Sequence, residues 1–588
     1  MPHVSKRRSK EEASELRQIQ SLYDRGEFRN ALFRSQKVLK SLPDHVGLNA
    51  LSGFAAEKIG DVELADQLLS RAADLARASG GFALDLPQGL KKAGRWQLAI
   101  PLFVLALEKN QNQADALNGL GRCLLELGDL GNALVVLADA LKFSPDNAAY
   151  AADLGEAFDK SGQQSQALNC YQIARRLDPD EIAYLHNVVR LSYAVGEFDQ
   201  SLEVLGEGLT RWPQDPAILN NHASVLIALG RTEEAIEQWR LAMDVDPSYS
   251  IAYSNLACRS LSSRIKDLEE RIDRQLSRKP RAEDERRFRI AKVDLYEDRG
   301  AFDQAYSNLL AANALRLKDS AWRIENEECR VAQLKAQFSS QPELSVSSDE
   351  HEITPIFIIG MPRSGTSLVE AIVGRHSEVT PLGELDHIAC LVNQLGLLGD
   401  TFSADQAAQF KRCYLSRISG RGQTRFVTDK MPQNFFALGH IITSMPEAKV
   451  IHVRRDPKAC CWSNFRHSFS SDGLEYSYDI EGLIRFFELY QDLMDFWRAR
   501  YPGRIIELDY EGLVSSPETE IRALIEVLGL EWQEACLSPQ ESSEVIRTAS
   551  QAQVRKKIYK GSSQGWRKYE AQAGEWLSRL PEHRPLSG

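Results

Sequence analysis

Ile356-Phe357-Ile358-Ile359-Gly360-Met361-Pro362-Arg363-Ser364-Gly365-Thr366-Ser367-Leu368 carries an apolar, strand-like run directly into a glycine-bounded turn bearing Arg363, Ser364, Thr366 and Ser367. Helical spacing follows the turn, so backbone N–H groups, hydroxyls and the helix dipole can converge on one anion. Strand, turn and helix in this order build a phosphate cradle. The same order also serves as a plain connection in α/β domains, and the rest of the chain separates the two readings.

The spacing Gly360-x4-Gly365 is that of a nucleotide P-loop, but Thr366 stands where that motif requires lysine. The cation here is Arg363. Further strand-like runs occupy 425–428, 449–453 and 504–508, with helical spacing between them, as at 483–497. Alternating strands and helices predict a parallel sheet covered on both faces, with sites at the carboxyl ends of the strands. The run from Lys449 brings Arg454 and Arg455 to a strand tip and Ser463 two helical turns later, a second anion site unless the arginines pair with Asp456 or another carboxylate.

Upstream, glycines fall at Gly26, Gly60, Gly94, Gly128, Gly162, Gly196 and Gly230, each 34 residues from the next. Five residues after each comes a small residue: Ala31, Ala65, Ala99, Ala133, Ala167, Ser201 and Ala235. Pro145, Pro179, Pro213 and Pro247 share the period and mark where one helical pair stops. This pattern resembles the tetratricopeptide repeat. The phase is lost over 257–296, and Gly300 with Ala305 restates the turn out of register. Such arrays bury a core only between neighbours and present a concave surface that grips a peptide or a subunit, or else serve as a spacer. The predicted organisation is an array at 1–334, a linker at 335–354 and an α/β domain at 355–588.

With 588 residues, 43% of them hydrophobic, the chain is long enough for two or more cores. A net charge of −11 argues against general nucleic-acid binding. Nine cysteines show neither metal-ligand spacing nor a disulfide framework, which implies no metal and a reducing compartment. Lys6, Arg7, Arg8 and Lys10 have no apolar stretch behind them, so neither a signal peptide nor a membrane span is expected.

Residues 355–570 resemble the sulfotransferase superfamily, and within it the tyrosylprotein sulfotransferases and the bacterial proteins that join repeats to such a domain. The resemblance implies a P-loop-like three-layer α/β/α domain that binds 3′-phosphoadenosine 5′-phosphosulfate (PAPS) as sulfuryl donor, without a metal. By the same resemblance Arg363, Ser364, Gly365, Thr366 and Ser367 hold the 5′-phosphosulfate, and Arg455, which precedes Asp456-Pro457, holds the 3′-phosphate with Ser463. Gly383-Glu384 resembles the segment with the catalytic base, and His387 is an alternative base. Asp429-Lys430-Met431-Pro432 implies a catalytic Lys430. Tyr510 resembles a cofactor contact, and the segment after Thr548 points to Ser550 as a catalytic residue and Lys556 as a nucleotide contact. The implied activity is sulfuryl transfer to a hydroxyl, possibly of protein tyrosine, in a cytoplasmic protein without a membrane span. A carbohydrate, lipid or small metabolite is the alternative acceptor. Leu385-Asp386-His387 departs from the arginines with which the family meets acidic peptides. A P-loop kinase or NTPase, and an inactive scaffold, are the readings from other classes.

Overall fold

The computed structural model describes residues 15–79, 84–259, 261–318, 320–339, 353–399, 401–419, 424–469, 473–541 and 561–584. The chain divides into two compact units, Met1–Ala235 and Ile236–Gly588.

The first unit is helical throughout its described residues, in successive pairs such as Ala114–Glu126 with Leu130–Phe143 and Ala148–Lys160 with Gln164–Leu177. Every turn glycine of the 34-residue period has left-handed backbone, from φ 71° at Gly94 to 87° at Gly60, a conformation that costs other residues about 1–2 kcal/mol. The small residue five positions on is at most 1% exposed at all seven places, so paired helices meet there without a side chain between them.

In the second unit a five-stranded sheet has the order β2-β3-β1-β4-β5. The strands are β1 (Thr354–Gly360), β2 (Val379–Pro381), β3 (Phe426–Asp429), β4 (Lys449–Arg454) and β5 (Ile506–Asp509), all parallel where paired. Because side chains alternate along a strand, the apolar run of β1 feeds two cores. Phe357 and Ile359 join Val427 and Val450 on one face, whereas Ile356 and Ile358 join Phe426, Ile451 and Val453 on the other. Burial on both faces explains why this strand reads as continuously apolar. β2 escaped sequence reading: three residues ending in Pro381 at a sheet edge leave no periodic signal.

Gly300 has φ 71° and Ala305 is fully buried, so the restated turn forms a genuine helical hairpin, Ala282–Asp298 with Phe302–Leu317. The hairpin and the following helix Ile324–Ser339 share the core of the first face: Val293, Leu309, Leu334 and Phe338 belong to it with Phe357 and Trp497. The predicted linker start at 335 therefore lies inside a helix. The run of Ser, Gln and Pro that suggested a linker begins only after Phe338, which is fully buried. Among the described residues no helix is long and apolar enough to cross a membrane.

Candidate functional site

Three neighbouring strands, β3, β1 and β4, end at one side of the sheet, and each delivers part of the site. β1 ends at Gly360, where an added Cβ would lie 2.6 Å from Val453 O. Arg363 has φ 68°, left-handed and uncommon outside glycine, asparagine and aspartate. Gly365, at φ 106°, then opens the helix Thr366–Val373. An added Cβ at Gly365 would sit 2.3 Å from the Tyr510 ring. Tyr510 thus packs on the cradle.

Ser364 is 1% exposed, and its Oγ is buried without a hydrogen-bond partner among the described residues. An orphaned hydroxyl costs on the order of 1–3 kcal/mol. It lines a cavity of about 450 Å³ together with Met361, Arg454, Arg455 and Tyr490. An unpartnered hydroxyl beside arginine suits a phosphate or sulfate; of residues 363–367 only Ser364 lines this cavity, and Asp495 and Glu507 share its walls with the arginines.

β4 supplies the second arginine. Arg455 Nη1 donates to Arg363 O at 2.7 Å and Nε to Ser563 Oγ at 3.3 Å, with the guanidinium 4.8 Å from the centre of the Tyr510 ring. Arg363 Nε in turn donates to Ser463 Oγ at 3.1 Å. Arg363, Arg455 and Ser463 are therefore hydrogen-bonded to one another, so the two candidate anion sites adjoin. Neither tip arginine has a hydrogen bond or ion pair with Asp456 among those described. Asp456 instead accepts from Ala459 N at 2.7 Å and caps the helix Pro457–Arg466 that carries Ser463. Arg454 does pair with another carboxylate, its Nε lying 3.8 Å from Glu507 Oε2, and its Nη2 donates to Arg584 O at 3.0 Å.

β3 delivers Lys430, whose ammonium is fully buried and paired with Glu384 Oε1. The Glu384 side chain is 41% exposed, so the carboxylate forms the open end of the pair. His387 lies beside Asp386, Nδ1 3.2 Å from Oδ1, and the contact holds the Asp386 carboxyl below its usual range. Ser550 and Lys556 lie outside the described residues.

Several residues of the site carry no motif. Asn464 Nδ2 donates to Pro362 O at 2.7 Å, fastening the cradle to the serine-bearing helix. Glu511 accepts from Ser563 Oγ at 2.7 Å and from Asp456 N at 3.2 Å, bracing the far side of Arg455. Asp509, Glu511 and His583 bring three ligand atoms within 4.8 Å of one another; Glu511 Oε2 accepts from Asp456 N, whereas Asp509 Oδ1 and His583 Nε2, 3.2 Å apart, have no hydrogen-bond partner among the described residues. Asp429, fully buried, accepts from Tyr414 OH at 3.0 Å and Asn434 Nδ2 at 3.2 Å.

Burial pushes the Asp429 carboxyl up to about 8. A carboxyl near 4 when unfolded and about 8 when folded binds a proton only in the folded state between those values. Its stabilising contribution is complete below about pH 4 and is lost as pH rises through about 8. The unfolding free energy of the unmodified chain, relative to Asp429→Asn, is thus expected to fall across that window in urea titrations. A flat difference would refute the shifted titration.

If the cradle holds the donor as the resemblance implies, Gly365→Ala is expected to abolish binding of 3′,5′-ADP, measured calorimetrically, because the methyl group must displace Tyr510 and the backbone must leave φ 106°. Retained affinity would show that the cradle does not hold the nucleotide.

Residues 355–534 match the Sulfotransferase family model, and residues 88–148 and 189–248 match that of the Tetratricopeptide repeat. An uncharacterized protein of Aquifex aeolicus is 32% identical over 295 residues, covering 47% of this chain and 38% of that protein. Protein-tyrosine sulfotransferase 2 of Gallus gallus is 25% identical over 208 residues, covering 32% of this chain and 55% of the relative. The chain thus spans about two fifths and about half of these relatives' lengths. The solved structure of YrrB, a TPR protein, aligns with 29% of this chain and 87% of its own, at 20% identity and a TM-score of 0.27. Residues 355–534 are a sulfotransferase-family domain, and tetratricopeptide repeats precede it in the same chain.

Proposed function

We propose that this chain transfers a sulfuryl group from PAPS to an acceptor hydroxyl, with tyrosine in a protein gripped by the repeats as the acceptor. The observation that carries the reading is the meeting of the Arg363, Ser463 and Arg455 cluster at the ends of β1 and β4, with the Lys430 and Glu384 pair following β3, the next strand.

Arg363, Ser364, Gly365, Thr366 and Ser367 would hold the 5′-phosphosulfate, and Arg455 with Ser463 the 3′-phosphate; Tyr510 backs both through Gly365 and Arg455. Lys556 is assigned to the nucleotide and Ser550 to catalysis on resemblance alone. When bound, the donor supplies an electrophilic sulfur and a bisphosphate leaving group. Glu384 accepts the proton of the attacking hydroxyl at its exposed carboxylate. Lys430 and Arg363 stabilise negative charge that develops on the leaving side. Positioning and electrostatics supply the rate, as in phosphoryl transfer. The tetratricopeptide matches support a protein acceptor, since such arrays commonly grip peptides.

The test is incubation with labelled PAPS and separate pools of tyrosine peptides, glycans and small hydroxyl compounds. Label on tyrosine peptides is expected. Label only on non-protein acceptors overturns the tyrosine assignment, and ATP hydrolysis with no affinity for 3′,5′-ADP overturns the whole reading.

A further inference from the structure

We propose that Glu370 is a positioning residue, which through the Gly383 peptide sets Glu384 against Lys430; the role rests on the sulfuryl-transfer reading above. Glu370 interrupts an otherwise apolar stretch of the helix that follows the cradle, Leu368-Val369-Glu370-Ala371-Ile372-Val373, and is 6% exposed. A carboxylate so buried is costly unless hydrogen bonds compensate it. Here one oxygen, Oε1, accepts from Gly383 N at 3.0 Å and from Thr428 Oγ1 at 2.8 Å.

Both donors are adjacent to the reacting pair in sequence. Gly383 immediately precedes Glu384, and Thr428 lies two residues before Lys430. The next peptide unit, Gly383–Glu384, is held as well, since the Gly383 carbonyl accepts from Lys430 N at 2.9 Å. Gly383 has φ 74°, so the turn itself is glycine-dependent and has little local stiffness of its own. A single carboxylate oxygen therefore ties the donor-binding helix to the backbone on which the base and the lysine stand. Burial raises the Glu370 carboxyl, and the charge of Lys430 opposes that rise, as expected for groups packed into one pocket.

A displacement near 1 Å at a reacting group can cost on the order of 10²-fold in rate. Glu370→Leu is accordingly expected to lower kcat about 10- to 100-fold while the Kd for 3′,5′-ADP stays unchanged, because the cradle N–H groups and Arg455 are untouched. Glu370→Gln retains an acceptor oxygen and is expected to restore most of kcat. Amide exchange at Gly383 is expected to be faster in the leucine variant than in the unmodified chain, and not faster in the glutamine one. A merely structural role predicts instead that kcat and 3′,5′-ADP affinity fall together in both variants, and that result overturns the proposal, as does full kcat in Glu370→Leu. Should the leucine variant fail to fold, Thr428→Val removes one donor to the same oxygen at matched shape. A kcat loss with unchanged 3′,5′-ADP affinity then supports the role, and unchanged kcat sinks it. Absence of labelled sulfate transfer by the unmodified chain would refute the underlying sulfotransferase reading instead.

Discussion

Glu384→Gln is expected to lower kcat for sulfuryl transfer about 10²- to 10⁴-fold, the range contributed by a positioned general base, while leaving the Kd for 3′,5′-ADP within a factor of about two. The substitution preserves shape and an oxygen that can accept from Lys430 Nζ, but an amide oxygen cannot take up the hydroxyl proton at neutral pH. Lys430 is fully buried, so loss of its counter-charge would ordinarily destabilise the fold. Asp429, the neighbouring acid, is raised to about 8 by burial and is largely protonated at neutral pH, so it does not replace that charge, and transfer is compared at equal folded fraction. Single-turnover transfer from labelled PAPS, with calorimetric 3′,5′-ADP binding on the same samples, separates chemistry from binding. Undiminished transfer would move the base to another group, and His387→Asn would identify whether it is His387.

The strand, turn and helix were legible because every part is local: an apolar strand, two glycines and the hydroxyls of Ser364, Thr366 and Ser367 lie within a dozen residues. The array was legible for a different reason, since a repeated αL turn demands glycine and a repeated close helix contact demands a small side chain at a fixed period. What the sequence hid is non-local. Lys430 and Glu384 are 46 residues apart, and their pairing depends on β2, which is only three residues long. Resemblance to a family named both residues, but not the contact between them. Likewise nothing near Ser463 announces that its hydroxyl accepts from Arg363, one hundred residues away. Glu370 did leave a trace, an acid on the buried stripe of an apolar helix, and such a residue almost always has partners. The limit of the array was the hardest to read. Gly300 and Ala305 repeat the signature of the preceding hairpins, yet the helices they join pack with the sheet.

Arg466→Ala is expected to lower the unfolding free energy of the second unit by about 3 kcal/mol, the low end of the cost of stripping the partner from a buried charge, because the arginine retains 23% exposure. Arg466 ends the helix that carries Ser463. Its guanidinium bonds Asp294 and, through Nε at 2.9 Å and Nη2 at 2.7 Å, Glu297, both on the helix Ala282–Asp298. Tyr569 OH adds a bond of 2.5 Å to the same Glu297 oxygen that Nε engages. Burial works against ionisation of Glu297, but the arginine and tyrosine bonds hold its carboxyl below the usual range, whereas burial leaves Asp294 raised. Alanine would leave two acids facing an apolar core, and it would free the end of the serine-bearing helix, so 3′,5′-ADP affinity should weaken with stability. Urea unfolding of Arg466→Ala beside Arg466→Lys measures the first effect, and lysine should recover only part of it because it cannot bridge two carboxylates with a planar fork. The same contacts predict how the chain can be divided. A fragment of residues 355–588 lacks Leu309, Leu334 and Phe338 as well as both acids, and should not unfold cooperatively, whereas one of residues 230–588 should. Cooperative unfolding and 3′,5′-ADP binding by the shorter fragment would show that the helices between 282 and 339 are dispensable to the sheet they cover.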